Sequence, residues 1–394
     1  MEKSLNIAYF TDTYLPNIDG VVRSVVDLRN ALEKKGDRIY IFTSGNKPTI
    51  MDKDSQNVFY HRSIPFPLYP QYKIALFPYL SSIKQAKEKK IQLVHSHAMT
   101  TMGLSAIATS KNLKVPAIGT FHTMLPKAVK LISFDKRSEK VASDLTWKTL
   151  GVFYSGFDLI TAPSQVVADE LKMHNISPVK VMSNGVDINK FSPNLNKKSQ
   201  VKIDYGIKKN EQVVLVAGRI SPEKNVPLII KAAKKVIQEK SQVKFIVTGE
   251  GPAVNEVKKE IVKQNLSENV KLMGFLSEQK IIDLYQSVDV FATASTFETQ
   301  GLAALEALSC STPVVAANAM ALPEMIKEDY NGYLFEQTDT EECARKIIKA
   351  LEIKGLNKNR MKKNARETAI KYSLSNVANK WQELYVNSVE NYRK

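Results

Sequence analysis

"STFETQGLAALEALSCSTPVVAA" spans residues 295–317, and its reading decides the fold. It overlaps the end of "DVFATAS" (289–295), which is apolar enough to be a strand covered on both faces. "TFETQG" reads as a loop, "LAALEALSC" as a helix and "PVVAA" as a second buried strand. Such a unit belongs to a parallel sheet. Glu298 then sits at the carboxyl end of a strand. Gly301 opens the helix and lets backbone come close to a ligand. Glu306 falls in the second turn of an otherwise apolar helix, where a carboxylate is costly without a partner. Ribose or sugar hydroxyls are suitable donors to it. The plainer alternative is a lysine partner for Glu306 and a solvated Glu298.

The same alternation runs through most of the chain. "LNIAYFT", "RIYIFTS", "IQLVHSH", "VPAIGTFH", "FDLITAPS" and "VKVMSNGV" read as strands of a first domain. The helix "VVRSVVDLRNALEKKG", a helix from about Met102 and "QVVADELKMH" fall between them. "VVLVAGR", "VKFIVTG", "VKLMGF", "DVFATAS" and "PVVAA" form a second series, with "VPLIIKAAKKVIQEK" and "EQKIIDLYQSV" among its helices. The pattern predicts an α/β fold of two doubly wound parallel-sheet domains facing a cleft. The expected boundaries are 1–190, a polar linker at 191–211, 212–372, and a terminal helix at 373–394 carrying Trp381 and Tyr385 on one face.

Composition narrows the classes. With 394 residues the chain has room for two cores. It has no apolar run long enough to span a membrane, and "MEKSLNIAYFTDTYLP" lacks the pattern of a signal peptide. Cys310 and Cys343 form no metal-ligand pattern, which suits a reduced, cytoplasmic compartment. The net charge of +16 suits anionic partners. Residues 73–140 hold 12 Lys and Arg against 3 Asp and Glu, and residues 1–195 hold 25 against 16. The basic excess of the first half is therefore concentrated in one segment. That segment contains no recognisable nucleic-acid module, so charge alone supports only non-specific nucleic-acid binding.

Ligands of open parallel sheets bind beyond the carboxyl ends of the strands. In "AGRISPEKNVPLIIKA", Arg219 ends a strand and Lys224 precedes a helix. Two cations beside a helix N-terminus make an anion site, although a solvated loop has the same composition. A glycosidase would also need two carboxylates. A transferase acting on a nucleotide-sugar accounts for the acids and the anion site together. His95 and His97 flank Ser96 and are read as facing opposite ways, His95 into packing and His97 toward the cleft. His61 and His174 have no partner legible in the sequence.

Several motifs, in order, carry a resemblance: "NIDGVVRSV", "HSH", "GTFHT", "SNGVDINKF", "GRISPEKN", "GEGP", the two glutamates of 298–306, and "LPEMIKEDYNGYLF". Together they resemble the retaining glycosyltransferases of family 4, with the GT-B fold. That resemblance implies the terminal helix packing back on the first domain. It also implies that Arg219 and Lys224 neutralise a donor diphosphate, helped by backbone near Gly301 and Leu302. Glu306 would hold the ribose and Glu298 the donor sugar. Gly218, Thr299 and Gln300 complete the implied donor set, Gly20 lets the first domain close over the diphosphate, and His122 reaches the sugar near its reacting carbon. Neither Glu298 as nucleophile nor His122 as base is implied. The two cations and the helix end would replace a metal, so no cofactor is expected. At one position the sequence departs from many relatives: Thr312 stands before Pro313 where they have glycine, in a turn expected near the diphosphate.

"ETQGL" around Glu298 resembles the lipid branch of the family, diacylglycerol glucosyltransferases especially. "FPLYPQYKIALFPYLSSIKQAKEKK" and "MLPKAVKLISFDKRSEK" mix aromatics, leucines and lysines as membrane-surface segments do. Tyr72, Lys73, Lys84, Lys87, Lys89, Lys90, Lys127 and Lys130 are the candidate acceptor and membrane residues. The expectation is a UDP-sugar donor, glucose preferred, and a lipid acceptor in an anionic membrane, reached from the cytoplasmic side. No specific nucleic acid or obligate protein partner is expected. Galactose or mannose donors, GDP-mannose included, and soluble or polyprenyl-linked acceptors remain alternatives.

Overall fold

A computed structural model describes residues 4–17, 19–46, 57–66, 69–126, 136–194 and 197–392; the side chains of 66–72, 136–139 and 197–200 are outside that description. Lys127 and Lys130 lie outside the described residues, as does the side chain of Tyr72. The chain forms two compact units, 1–185 with 374–394, and 186–373.

The first unit is built on β1 (Asn6–Thr11), β2 (Arg38–Ser44), β3 (Val58–His61), a hairpin of β4 (Ser63–Phe66) and β5 (Tyr69–Ala75), β6 (Leu93–Ser96), β7 (Ala117–Thr120), β8 (Leu159–Ala162) and β9 (Val179–Val181). Its main sheet runs β3-β2-β1-β6-β7-β8-β9, all parallel. Strands apolar along their whole length end up covered on both faces, as parallel pairing requires. The order reverses between β1 and β6, where doubly wound sheets hold ligands. Asp12 ties the two loops there, accepting from Met99 N at 2.9 Å and Thr100 N at 3.1 Å.

The last helix, Leu374–Tyr392, belongs to this unit and packs Trp381 and Tyr385 into its core. The Tyr385 hydroxyl lies 2.9 Å from that of Tyr9 and 2.7 Å from His95 Nδ1. Gln382 Nε2 donates to Asp37 at 3.1 Å.

The second unit contains β10 (Gln212–Ala217), β11 (Val243–Thr248), β12 (Val270–Leu272), β13 (Val290–Thr293), β14 (Val314–Ala317) and β15 (Gly332–Phe335). Its sheet is parallel, in the order β12-β11-β10-β13-β14-β15, and reverses between β10 and β13. β15 lies inside "NGYLF", which the strand pattern passed over.

The stretch expected as a linker, 191–211, is part of this unit. Phe191, Val201 and Ile207 are buried in its core, and Lys197–Asp204 is helical. Arg366 fastens the stretch: Nη1 donates to Phe191 O at 2.8 Å and Ser309 O at 2.6 Å, and Nη2 to Ile188 O at 2.7 Å. A polar composition concealed three apolar anchors.

Candidate active site

In the second unit the loops after β10 and β13 are joined. Pro222–Lys224 forms a single 3-10 turn, and Asn225 in a left-handed conformation launches the helix Val226–Glu239. Thr296 N donates to Glu223 O at 3.0 Å. One residue further along the first loop and two along the second, Lys224 Nζ meets Glu298 Oε1 at 2.6 Å. Both side chains are partly exposed, at 28% and 18%. The sheet order alone places this pair at the reversal point. Arg219, one residue after Gly218, is exposed at the end of β10.

Gly218 has φ +133° and its neighbours explain "GEGP". A Cβ on Gly249 would lie 1.9 Å from Gly218 O, and one on Gly251 2.2 Å from Ile220 O. Ile220 N donates to Glu250 O at 2.9 Å, and Ala253 N to Ile220 O at 3.0 Å. The two glycines let the loop after β11 buttress the backbone that carries Arg219.

Gly301, with φ +92°, begins the helix Leu302–Ser309, whose first turn has no side-chain cap. A Cβ there would meet Leu322 at 2.9 Å, and Glu298 O accepts from Ala321 N at 3.2 Å. Thr299 is partly exposed and Gln300 is buried beside it. Glu306 is buried in the second turn. The uncapped helix start faces the same end of the sheet as Lys224 and Glu298. Free N–H groups and the positive end of the helix dipole there favour an anion.

Thr312 does not disturb this arrangement. It precedes β14, so it lies at the other end of the sheet from the candidate site. The left-handed residue of its turn is Ser311, with φ +61°, and Thr312 Oγ1 donates to Tyr285 O at 2.6 Å. The turn expected near the diphosphate is therefore at the opposite end of the sheet from Lys224 and Glu298. Phe275, 71% exposed just after β12, is an aromatic at the binding end that the motif reading missed.

Gly20 and His122 belong to the first unit. Gly20 opens the helix Gly20–Glu33, and Asp19 Oδ1 caps it by accepting from Val21 N and Val22 N, each at 2.8 Å. His122 follows β7 and pairs with His97, Nε2 to Nδ1 at 2.9 Å. The rings of His95 and His97 have centroids 4.0 Å apart. The expectation that they face opposite ways is corrected here: residues two apart on a strand share a face. His97 is buried rather than open to a cleft. Burial lowers the basicity of all three imidazoles, that of His122 to about 4. His61 lies 3.1 Å from Ser81 Oγ and 3.2 Å from Ser82 Oγ, and burial lowers it to about 4 as well. His174 stacks on Trp147 at 3.9 Å.

The candidate membrane residues divide. Leu80, Lys84 and Lys87 are exposed on the helix Tyr79–Glu88, next to an exposed Phe77. Lys90 is exposed in the following turn, whereas Lys89 is half-buried with Nζ 5.8 Å from the Tyr40 ring centroid. Lys73 lies in β5, half-buried. Among the described residues no helix is long and apolar enough to cross a membrane.

Residues 18–190 match the Glycosyltransferase Family 4 profile and residues 197–368 match Glycosyl transferases group 1. The chain is 29% identical over 335 residues to an alpha-monoglucosyldiacylglycerol synthase of Streptococcus pneumoniae, covering 84% of this chain and 75% of that one. An enzyme of the same name from Acholeplasma laidlawii is 25% identical over 403 residues, covering 99% of both. A relative from Escherichia coli, 29% identical over 321 residues and covering 79% of each chain, is named for a different acceptor, as a UDP-Gal:alpha-D-GlcNAc-diphosphoundecaprenol alpha-1,3-galactosyltransferase. Anabaena HepE, crystallised with UDP and glucose, superposes with a TM-score of 0.79 at 21% identity, covering 97% of this chain and 100% of that one, a likeness of fold.

Proposed function

We propose that this chain, which belongs to the nucleotide-sugar-dependent glycosyltransferases of family 4 with the GT-B fold, transfers glucose from UDP-glucose to diacylglycerol in an anionic membrane, with retention at the anomeric carbon. The observation that carries the donor half of this reading is the Lys224–Glu298 pair beside the uncapped start of Leu302–Ser309. Loss of a nucleoside diphosphate builds negative charge on its phosphate. Cations already in position stabilise that charge without reorganising at the moment of reaction. Lys224 is one such cation and Arg219 a second. Glu298 holds the ammonium extended and, with two oxygens, has capacity for a sugar hydroxyl. The helix start adds N–H groups to the same anion. Glu306 takes the ribose, its carboxylate accepting from the hydroxyls. The departing phosphate accepts the acceptor's proton, so neither glutamate needs to act as base.

The acceptor half rests on the exposed face of Tyr79–Glu88 and on the names of the two synthases. Apolar Phe77 and Leu80 beside Lys84 and Lys87 suit insertion between anionic headgroups. In this reading the enzyme is a peripheral protein of the cytoplasmic face of the membrane. The deciding experiment is transfer from radiolabelled UDP-glucose into chloroform-extractable product, with diacylglycerol in anionic micelles. Labelled glycolipid with an α linkage is the expected result. Intact UDP-glucose binding without labelled lipid would move the acceptor to soluble or polyprenyl-linked glycans. Absence of binding would move the donor to a GDP-sugar.

A further inference from the structure

We infer that His97 is a positioning residue for His122: it fixes the His122 ring as the Nδ1–H tautomer and removes it as a proton acceptor. Three observations lead there. His97 Nδ1 and His122 Nε2 are 2.9 Å apart, so one nitrogen carries the proton and the other receives it. His97 Nε2 is buried with no hydrogen-bond partner. The ring of His97 lies among those of Tyr9, His95 and His122, with centroids at 4.9, 4.0 and 5.2 Å.

The orphaned nitrogen decides the direction of the bond. A buried N–H without an acceptor is among the rarest features of folded proteins, whereas a bare acceptor is better tolerated. The proton of neutral His97 is therefore on Nδ1, and Nδ1–H donates to His122 Nε2. His122, neutral as well, keeps its own proton on Nδ1. Both of its nitrogens are then committed, one as acceptor from His97 and one as donor.

His95 holds His97 from behind. Its Nδ1 is engaged by Tyr385 at 2.7 Å and its Nε2 by Thr120 Oγ1 at 2.6 Å. Thr120 Oγ1 is in turn 2.6 Å from Thr161 Oγ1. With both nitrogens occupied, His95 offers no partner to His97, which leaves His122 as its one outlet among the described residues.

The consequence for catalysis rests on the glycosyltransferase reading above. His122 meets the donor sugar as a hydrogen-bond donor, and the acceptor's proton goes elsewhere. The test is the ring tautomer, read by long-range 1H–15N correlation on histidine-labelled enzyme, with the His122 signals assigned through His122→Asn. Wild-type enzyme should show His122 as Nδ1–H. His97→Leu should release it toward Nε2–H and lower kcat roughly tenfold, with KM for the donor little changed. His97→Asn, whose amide N–H replaces Nδ1–H, should restore both the tautomer and the rate. His122 as Nε2–H in the wild type, or unchanged in His97→Leu, would overturn the inference. A tautomer that follows this pattern while all variants turn over equally would uphold the positioning and remove His122 from catalysis.

Discussion

Lys224 Nζ and Glu298 Oε1 stand 2.6 Å apart although 74 positions separate them in the chain. Each lies just beyond one of the two strands between which the second sheet reverses order. Because both side chains are partly exposed, the pair adds little to stability, about 0–1 kcal/mol. Its place at the reversal point is better explained by a ligand.

Lys224→Ala should leave the melting temperature nearly unchanged and lower turnover about 100-fold, the scale of removing one preorganised charge from a developing anion. Glu298→Gln should lower turnover too, since it loses the charge that steers Lys224. Turnover at the wild-type level in Lys224→Ala would remove the diphosphate assignment. Circular dichroism of both variants separates a lost contact from a lost fold.

Gly249→Ala should be more damaging than its size suggests. The added carbon would fall 1.9 Å from Gly218 O, and backbone on both sides must move. A cost of about 2–4 kcal/mol is expected, with weaker UDP binding because Gly218 leads into Arg219. Gly274→Ala is a useful contrast, with φ +64° but nothing within 4 Å of its new carbon, and should cost about 1 kcal/mol. Denaturant titrations of the two would rank them; equal losses would mean that strain, and not the close approach, governs the loop.

The first unit should lose stability as pH falls below about 6.5, the ordinary histidine value. His61 and His122 have folded basicities near 4, and His95 and His97 are also lowered, all chiefly by burial. Between roughly pH 6.5 and 4 the unfolded chain binds protons that the folded chain does not. Each such histidine contributes a slope of up to about 1.4 kcal/mol per pH unit. Unfolding midpoints at pH 7, 6 and 5 should therefore fall together, and His61→Asn should flatten the decline. A constant midpoint over that range would show that these imidazoles take up protons in the folded chain as they do in the unfolded one.

The legible part of this molecule was the part written in strand periodicity. Apolar strands placed Glu298 at a carboxyl end, and Gly301 marked the helix start that the structure shows at φ +92°. The 191–211 stretch was misread because Phe191, Val201 and Ile207 are isolated in polar text, and their burial depends on helices remote in sequence. The β4–β5 hairpin was hidden by aromatics and prolines that also suit a membrane-facing segment. The His95–His97–His122 cluster needed two things: the rule that residues two apart share a face, and the pairing of β6 with β7. The second is long-range, and no local pattern announces it.

Membrane binding should depend on a few residues of the helix Tyr79–Glu88. Leu80, Lys84 and Lys87 recur at the spacing of one helical face, and Phe77 precedes them, 88% exposed. Lys89 is not equivalent to the other lysines, because its ammonium lies over Tyr40. Each well-placed lysine is worth about 1 kcal/mol near an anionic surface, so Lys84→Ala with Lys87→Ala should weaken vesicle binding about 30-fold. Lys89→Ala should do less. Phe77→Ser with Leu80→Ser should weaken binding by an amount that salt does not alter, whereas the lysine effect should fade as salt rises. Flotation with phosphatidylglycerol vesicles, against phosphatidylcholine alone, measures both. Unchanged flotation in the quadruple variant would place the membrane surface elsewhere on the protein, and absence of flotation by the wild type would remove the lipid-surface reading.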